Sequence, residues 1–448
     1  MDLTVLAIPG FFGSMGAEYL WLKKHRDERG PTPGDYEWRD TLVSLGMGQV
    51  SLLAPAVTDK LLARLAPGRG RWAKAALGVT VGAAAAVTVA DVVRRRRRGP
   101  LPEAGVVPGR SPDAATPIAA GGPAAAGPGA PATATTGPDG TGRAAAPTPA
   151  ATTPAVASAG SSAAPALTTT SAADRAMPLA AGALPAGPAE PAPGIDRLLR
   201  RVQESAGVAA IVGAGLTVAG VVAQRTAAER LYERRLLKDR GTGPLAVLGA
   251  TLAWDFLYYW NHRFSHESRY LWAMHVVHHS SERYNLSTAL RQPVLGGLVT
   301  GIPYSVMALL GYRPDTIEAA RGINLLYQFW IHTEAVPKLP RFDRWFNSPS
   351  LHRVHHGSNR QYLDRNHGSI LSIWDRLFGT YEEEDERVRY GLTRNIESFN
   401  PLVVATHEYR DLLADSARSD NWSDRLGFVL RGPGWSYERK ADLAAAAS

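Results

Sequence analysis

The chain reads as an all-α integral membrane helical bundle carrying a histidine-rich two-metal site on its cytosolic side, and three observations predict it. Apolar runs recur near the length a helix needs to cross a bilayer, about 20 residues. Eight of the twelve histidines fall into three short boxes at helical spacing. Basic residues gather beside the apolar runs rather than along a soluble amphipathic face.

The runs are Leu3 to Leu22, Leu42 to Leu65 with a proline inside, Trp72 to Val93, Gly207 to Val222, Pro244 to Trp260, Pro293 to Tyr312 and Ile317 to Val336. The first lacks a basic leader and is followed by Lys23 and Lys24, so it reads as an anchor rather than a cleaved signal. The stretches from Lys23 to Arg39 and from Lys60 to Lys74 are both basic, so one of the segments near them does not span. Arg94 to Arg98, at the end of a run, reads as a cytoplasmic stop touching anionic lipid. The net charge of +8 is explained by this orientation, and no nucleic-acid partner is expected.

Four units follow in order. Residues 1–98 form an N-terminal membrane-helix unit. Residues 99–194, rich in Ala, Pro, Gly and Thr and devoid of Phe, Trp and Tyr, cannot bury a core and read as a disordered linker. Residues 195–401 hold the histidine boxes, and residues 402–448 are a C-terminal tail. Within the third unit, the turn at Gly311 and Pro314 folds two apolar runs into a hairpin, which returns the last box to the side of the others. The basic residues after it, Lys338, Arg341, Arg344, Arg353, Arg360 and Arg365, put that side in the cytoplasm.

The boxes are His262 and His266, then His275, His278 and His279, then His352, His355 and His356. Residues three and four apart lie one turn from each other on a helix, so each box presents a fork of imidazoles. Imidazole nitrogen suits first-row transition ions, and eight exceed the about four ligands of one structural zinc, so two metals are expected. The alternative, eight buried imidazoles with no shared partner, leaves too many polar nitrogens unsatisfied. His25 and His407, standing alone, read as hydrogen-bonded residues. His332, at the end of an apolar run, is either a ninth ligand or an interior histidine. Asp255, Glu267, Asn285, Gln292, Glu334, Asn366 and Asp375 are polar neighbours that could orient the imidazoles, with capping or solvation as the alternative for each.

The chain has no cysteine, which excludes disulfides, thiolate haem and cysteine-ligated iron–sulfur clusters. Any redox chemistry therefore needs electrons from a partner protein or a small reductant. A soluble carboxylate di-iron bundle is disfavoured because no Glu-x-x-His pair is present.

The three boxes, with Tyr258-Tyr259-Trp260-Asn261-His262-Arg263, Tyr284-Asn285-Leu286-Ser287-Thr288, His352-Arg353-Val354-His355-His356-Gly357 and Trp374-Asp375-Arg376-Leu377-Phe378-Gly379-Thr380, resemble the fatty acid hydroxylase and sterol desaturase superfamily. Within it the likeness is to the ether-lipid monooxygenases and covers roughly Leu245 to Pro401. The resemblance implies that the eight box histidines bind two irons, and His332 matches the same pattern. Glu267, directly after His266, matches an acidic position important in the ether-lipid branch; it and Asp255 are the expected catalytic residues. Implied with these are a lipid substrate (ether lipid, sterol or fatty acyl chain), dioxygen and an external electron donor, with a tetrahydropterin left open as that donor. Hydroxylation of a C–H bond is the leading expectation and desaturation at the same site its neighbour. A membrane protein holding redox-silent zinc is the alternative of another class.

Overall fold

A computed structural model describes residues 3–65, 71–98, 194–225, 228–294 and 304–446. Among these the chain is all-helical, and the β-type pairing is a bridge between Phe346 and Leu371. The expected linker lies, but for Gly194, outside the described residues, as does the stretch 295–303 of the expected span Pro293 to Tyr312.

Helix α1 (Ile8–Lys24) starts at Pro9, whose missing N–H is harmless in a first turn, and ends on Lys23 and Lys24, which suit the negative end of the helix. It buries Met15, Glu18 and Leu22, three residues at spacing 3 and 4 on one face. Met15 packs in a cluster with Leu286, Ala289 and Phe329. Helix α2 (Trp38–Leu65) buries Val43 and Met47 against Val277 and Val404. Helices α3 (Arg71–Arg98) and α4 (Gly194–Arg225) pack along each other. Arg94, first of the arginine run, is buried and donates to Gln203 and Asp420, so it braces these helices rather than facing lipid.

Helices α5 (Pro244–Glu267) and α6 (Arg269–His279) meet at a sharp corner, where Ser268 is extended (φ −124°, ψ 123°). The corner turns the end of α5 and the length of α6 toward a shared interior. Arg269 anchors it: its guanidinium donates to Glu408 (2.6 Å) and Asp415 (2.8 Å), all three being buried. Residues 304–309 are helical, and Gly311 (φ +86°) turns the chain into α7 (Pro314–Trp330). A Cβ at Gly311 would stand 2.2 Å from the Lys238 carbonyl oxygen, so only glycine fits this turn. Helix α7 packs on α5 through Ala250, Trp254, Met307, Ile317 and Ala320, with the Trp254 and Tyr304 rings stacked 3.6 Å apart. The run expected to continue to Val336 leaves the helix at Trp330, and the Tyr284 hydroxyl takes the Ile331 carbonyl (3.0 Å).

Helix α8 (Pro349–His355) is capped by the Ser348 side chain, and α9 (Ile373–Phe378) ends on left-handed Gly379. Residues 401–445 form α10 (Pro401–Arg418), α11 (Trp422–Leu430) and α12 (Pro433–Ala445). Helix α10 packs on α6 and α4, and buried Arg425 of α11 pairs with buried Asp91 of α3. No helix among the described residues is long and apolar enough to cross a membrane.

Candidate metal centre

Nine histidines converge, in two groups. His262 and His266, one turn apart on α5, meet His275 and His279 of α6 and His355 of α8. His278 of α6 meets His332, just past α7, and His352 and His356 of α8 and its cap. Within each group the candidate ligand atoms all lie within 4.8 Å of one another. The groups are neighbours, since the His279 and His356 rings stack 4.4 Å apart.

The partition follows from helical phase. The i,i+4 pairs (262/266, 275/279 and 352/356) stay together, whereas the i+3 members His278 and His355 are rotated onto the other group. The boxes are therefore shared between the groups rather than each serving one centre.

Backbone carbonyls set the tautomers. His262 Nδ1 donates to the His367 carbonyl (2.9 Å), His355 Nδ1 to that of Arg365 (2.9 Å), His332 Nδ1 to that of Gln328 (2.7 Å) and His278 Nδ1 to that of Arg291 (3.3 Å). With Nδ1 protonated, the Nε2 lone pair of each neutral ring is left facing inward. His332 Nε2 nevertheless lies 3.1 Å from His278 Nε2, two acceptors in contact with no proton between them. His262 Nε2 is 2.8 Å from His275 Nε2, and His352 Nε2 is 3.0 Å from His332 Nε2. The Nε2 atoms of His266, His355 and His356 are buried and find no hydrogen-bond partner among the described residues. Lone pairs crowded against lone pairs are unfavourable unless a cation lies among them, and these separations suit neighbouring donors around an ion with N–metal bonds of about 2.0–2.1 Å. The residues present fit two first-row ions.

Burial keeps the donors neutral, which is the ligating form. It pushes His262 down to about 3 and His275, His278, His279, His352, His355 and His356 well below the usual histidine range, with the neighbouring imidazoles adding to the effect.

One carboxylate, that of Asp364, lies 3.4 Å from His266 Nδ1, whereas Asp375 and Asp255 hold backbone. Asp375 accepts from the His367 N–H (2.6 Å), the Gly368 N–H (2.8 Å) and the Thr380 hydroxyl (2.8 Å), and burial raises its carboxyl to about 6. It thereby fixes the carbonyl that orients His262. Asp255 is buried and accepts from Ile370 N–H (2.7 Å), Leu371 N–H (3.2 Å) and Trp374 Nε1 (2.9 Å), tying the same loop to α5. The Glu267 carboxylate is half exposed, pairs with Arg263 (2.8 Å) and belongs to neither group. Asn366 clamps the chain by donating to the Leu351 and Glu382 carbonyls, Glu334 accepts from Tyr390 and Gly34, Asn285 donates to the Gly34 carbonyl, and Gln292 donates to that of Ala289. His25 and His407 each bond a carbonyl of their own helix.

Sequence reasoning passed over Glu18 and Asp40 and gave no individual role to Arg291, Thr333 or Tyr284, all of which touch the chain segments bearing His278 and His332. Nor did it give weight to His367, whose buried ring lies 5.0 Å from that of His266 with Nδ1 unpartnered among the described residues.

An all-helical scaffold that gathers nine buried imidazoles into two adjoining groups defines a histidine-box protein, and residues 247–380 match the fatty acid hydroxylase family model. Over this stretch the chain is similar to fatty acid hydroxylases. Similar over the same kind of extent are two alkylglycerol monooxygenases, the Homo sapiens protein at 45% identity over 202 residues (45% of each chain) and the Danio rerio protein at 48% over 192 residues (43% of this chain, 42% of that one). The ornithine lipid hydroxylase OlsE of Rhizobium tropici is 29% identical over 146 residues, 30% of this chain and 41% of that one. The match thus spans somewhat under half the length of the alkylglycerol monooxygenases. No solved structure matches.

Proposed function

We propose that the chain is an oxygen-dependent lipid hydroxylase that holds two irons and acts on an ether lipid at a membrane. The observation that carries this reading is the pair of buried histidine groups in which His262, His355, His278 and His332 commit Nδ1 to carbonyls and Nε2 atoms crowd one another. His262, His266, His275, His279 and His355 would hold one ion and His278, His332, His352 and His356 the other. The similarity to two alkylglycerol monooxygenases supports the substrate class.

Bound iron supplies dioxygen activation, so that one oxygen atom enters a C–H bond while the other leaves as water with two electrons and two protons from the donor. The residues do the rest. Carbonyls of His367, Arg365, Gln328 and Arg291 aim the rings, and burial strips water from them and keeps them unprotonated. Asp375 and Asp255 hold the loop that supplies the His367 carbonyl. Without cysteine the chain has no thiol pair of its own, so the electrons come from a partner protein or a small reductant, a tetrahydropterin among the candidates.

Membrane placement draws on uncovered apolar faces. Leu245, Leu248, Leu252 and Phe256 are exposed at helical spacing along α5, and such a stripe is costly in water. Multi-pass insertion, with the metal side cytoplasmic, is the finer reading and rests on the apolar runs and the basic residues beside them.

The test is the purified, iron-loaded protein given a 1-O-alkylglycerol, a reductant and ¹⁸O₂. The reading predicts one labelled oxygen in the lipid and no product when oxygen or reductant is withheld. An unlabelled double bond would make it a desaturase, and tightly bound zinc with no oxygen uptake would overturn the enzyme reading.

A further inference from the structure

The two histidine groups are braced from different parts of the chain. The His262 side of the five-histidine group is held by Asp255, Asp375 and the Arg365 carbonyl, all within the matched span 247–380. For the four-histidine group the bracing runs out of that span. On α1, Glu18 is buried beneath the turn after α7; its carboxylate accepts from the Thr333 hydroxyl, the Tyr36 hydroxyl (2.6 Å) and the Leu286 N–H (2.9 Å). Thr333 directly follows His332, so Glu18 fixes the backbone that presents this ring.

On α2, buried Asp40 accepts from the Arg291 guanidinium (2.6 Å) and the Ser281 hydroxyl (2.7 Å). The Arg291 carbonyl is the acceptor for His278 Nδ1, and Ser281 stands three residues past that histidine. Between the two carboxylates the chain adds further ties, since Tyr284 N–H donates to the Pro33 carbonyl (3.0 Å) and Gly34 N–H to Glu334 (3.2 Å).

From this geometry we infer that Glu18 and Asp40 are positioning residues of the four-histidine group. The first 40 residues thus complete one metal site that the hydroxylase-matched span leaves half supported. The inference rests on the two-metal reading above. A neutral buried carboxamide in place of either carboxylate keeps the shape and loses the acceptor strength that fixes these turns. Outer partners of metal ligands typically govern affinity by about 10–100-fold. The loss should fall on one ion, because neither residue touches His262, His266 or His355.

The experiment uses full-length protein from iron-supplemented cells and measures iron per chain and the rate of its loss to a chelator. Parent, Glu18→Gln, Asp40→Asn and Thr333→Val are compared, with helix content followed by circular dichroism. Thr333→Val leaves both carboxylates in place and removes the hydroxyl that donates to Glu18 and accepts from the Ala335 N–H, so it serves if a carboxylate variant folds poorly. We expect about two irons in the parent and, in each variant, one released about tenfold or more faster while the other is unchanged. The retained iron should vanish on adding His266→Ala and His355→Ala but persist on adding His352→Ala and His356→Ala. A parent without two metals would remove the two-metal reading itself. Folded variants that keep both ions as tightly as the parent, or lose both together, would overturn the positioning role.

Discussion

The five-histidine and four-histidine groups share ligand chemistry, burial and two of their helices, yet they are stabilised in different ways. The first is built largely from adjacent chain, with α5 and α6 joined at Ser268 and the loop at His367 locked by carboxylates within 120 residues of the histidines they serve. The second draws His332 from past α7 and depends on Glu18 and Asp40, which bond residues 315 and 251 positions away. Local bracing is legible and modular. Distant bracing makes the four-histidine group report on whether the N-terminal helices have docked on the segments bearing His278 and His332.

The largest effect should come from removing the metals. The inward-facing lone pairs then lose their common partner, and an ion held at about a thousand times its dissociation constant contributes about 4 kcal/mol. Chelation should lower the thermal midpoint by several degrees and restored ferrous iron should return it; a midpoint indifferent to chelator would show that the histidines are satisfied without an ion.

Next is Arg269→Met, which strikes both groups because α6 carries His275 and His279 of one and His278 of the other. Glu408 and Asp415 would be left buried with part of their compensation gone, although Lys440 still lies 3.2 Å from Asp415. Breaking a buried pair costs about 3–5 kcal/mol. Denaturant unfolding should show that loss, with both irons bound more weakly.

Asp375→Asn sharpens the comparison from the other side. It loosens the His367 loop and should weaken one ion about 10–100-fold, the ion retained in Glu18→Gln. Equal weakening of both ions in iron titrations would erase the distinction between the groups.

The smallest change is Glu267→Gln. Its half-exposed i,i+4 pair with Arg263 is worth about 0.3–0.5 kcal/mol, so stability and metal content should stay near those of the parent. A fall in turnover with both irons in place is the signature of the catalytic part expected of this residue from the resemblance.

The eight box histidines were legible because helical spacing alone puts them on common faces, and all eight are in the two groups. Their division was not, since it depends on how α6 and α8 are rotated against each other. His332 stood open between ligand and interior residue; the chain leaves the helix at Trp330, the Tyr284 hydroxyl donates to the Ile331 carbonyl, and the His332 ring lies among the others. The helices themselves followed from the apolar runs, but no helix among the described residues has the length and apolarity of a span. Glu18 and Asp40 gave no signal, because a lone acidic residue in a helix reads as solvated until its distant partner is known.

Whether the nine histidines form two metal sites is read from the iron content of the full chain beside two paired variants. Two sites give about two irons in the parent, one in His262→Ala/His266→Ala and one in His352→Ala/His356→Ala. Iron unaffected by either pair, or lost entirely in both, would contradict that arrangement.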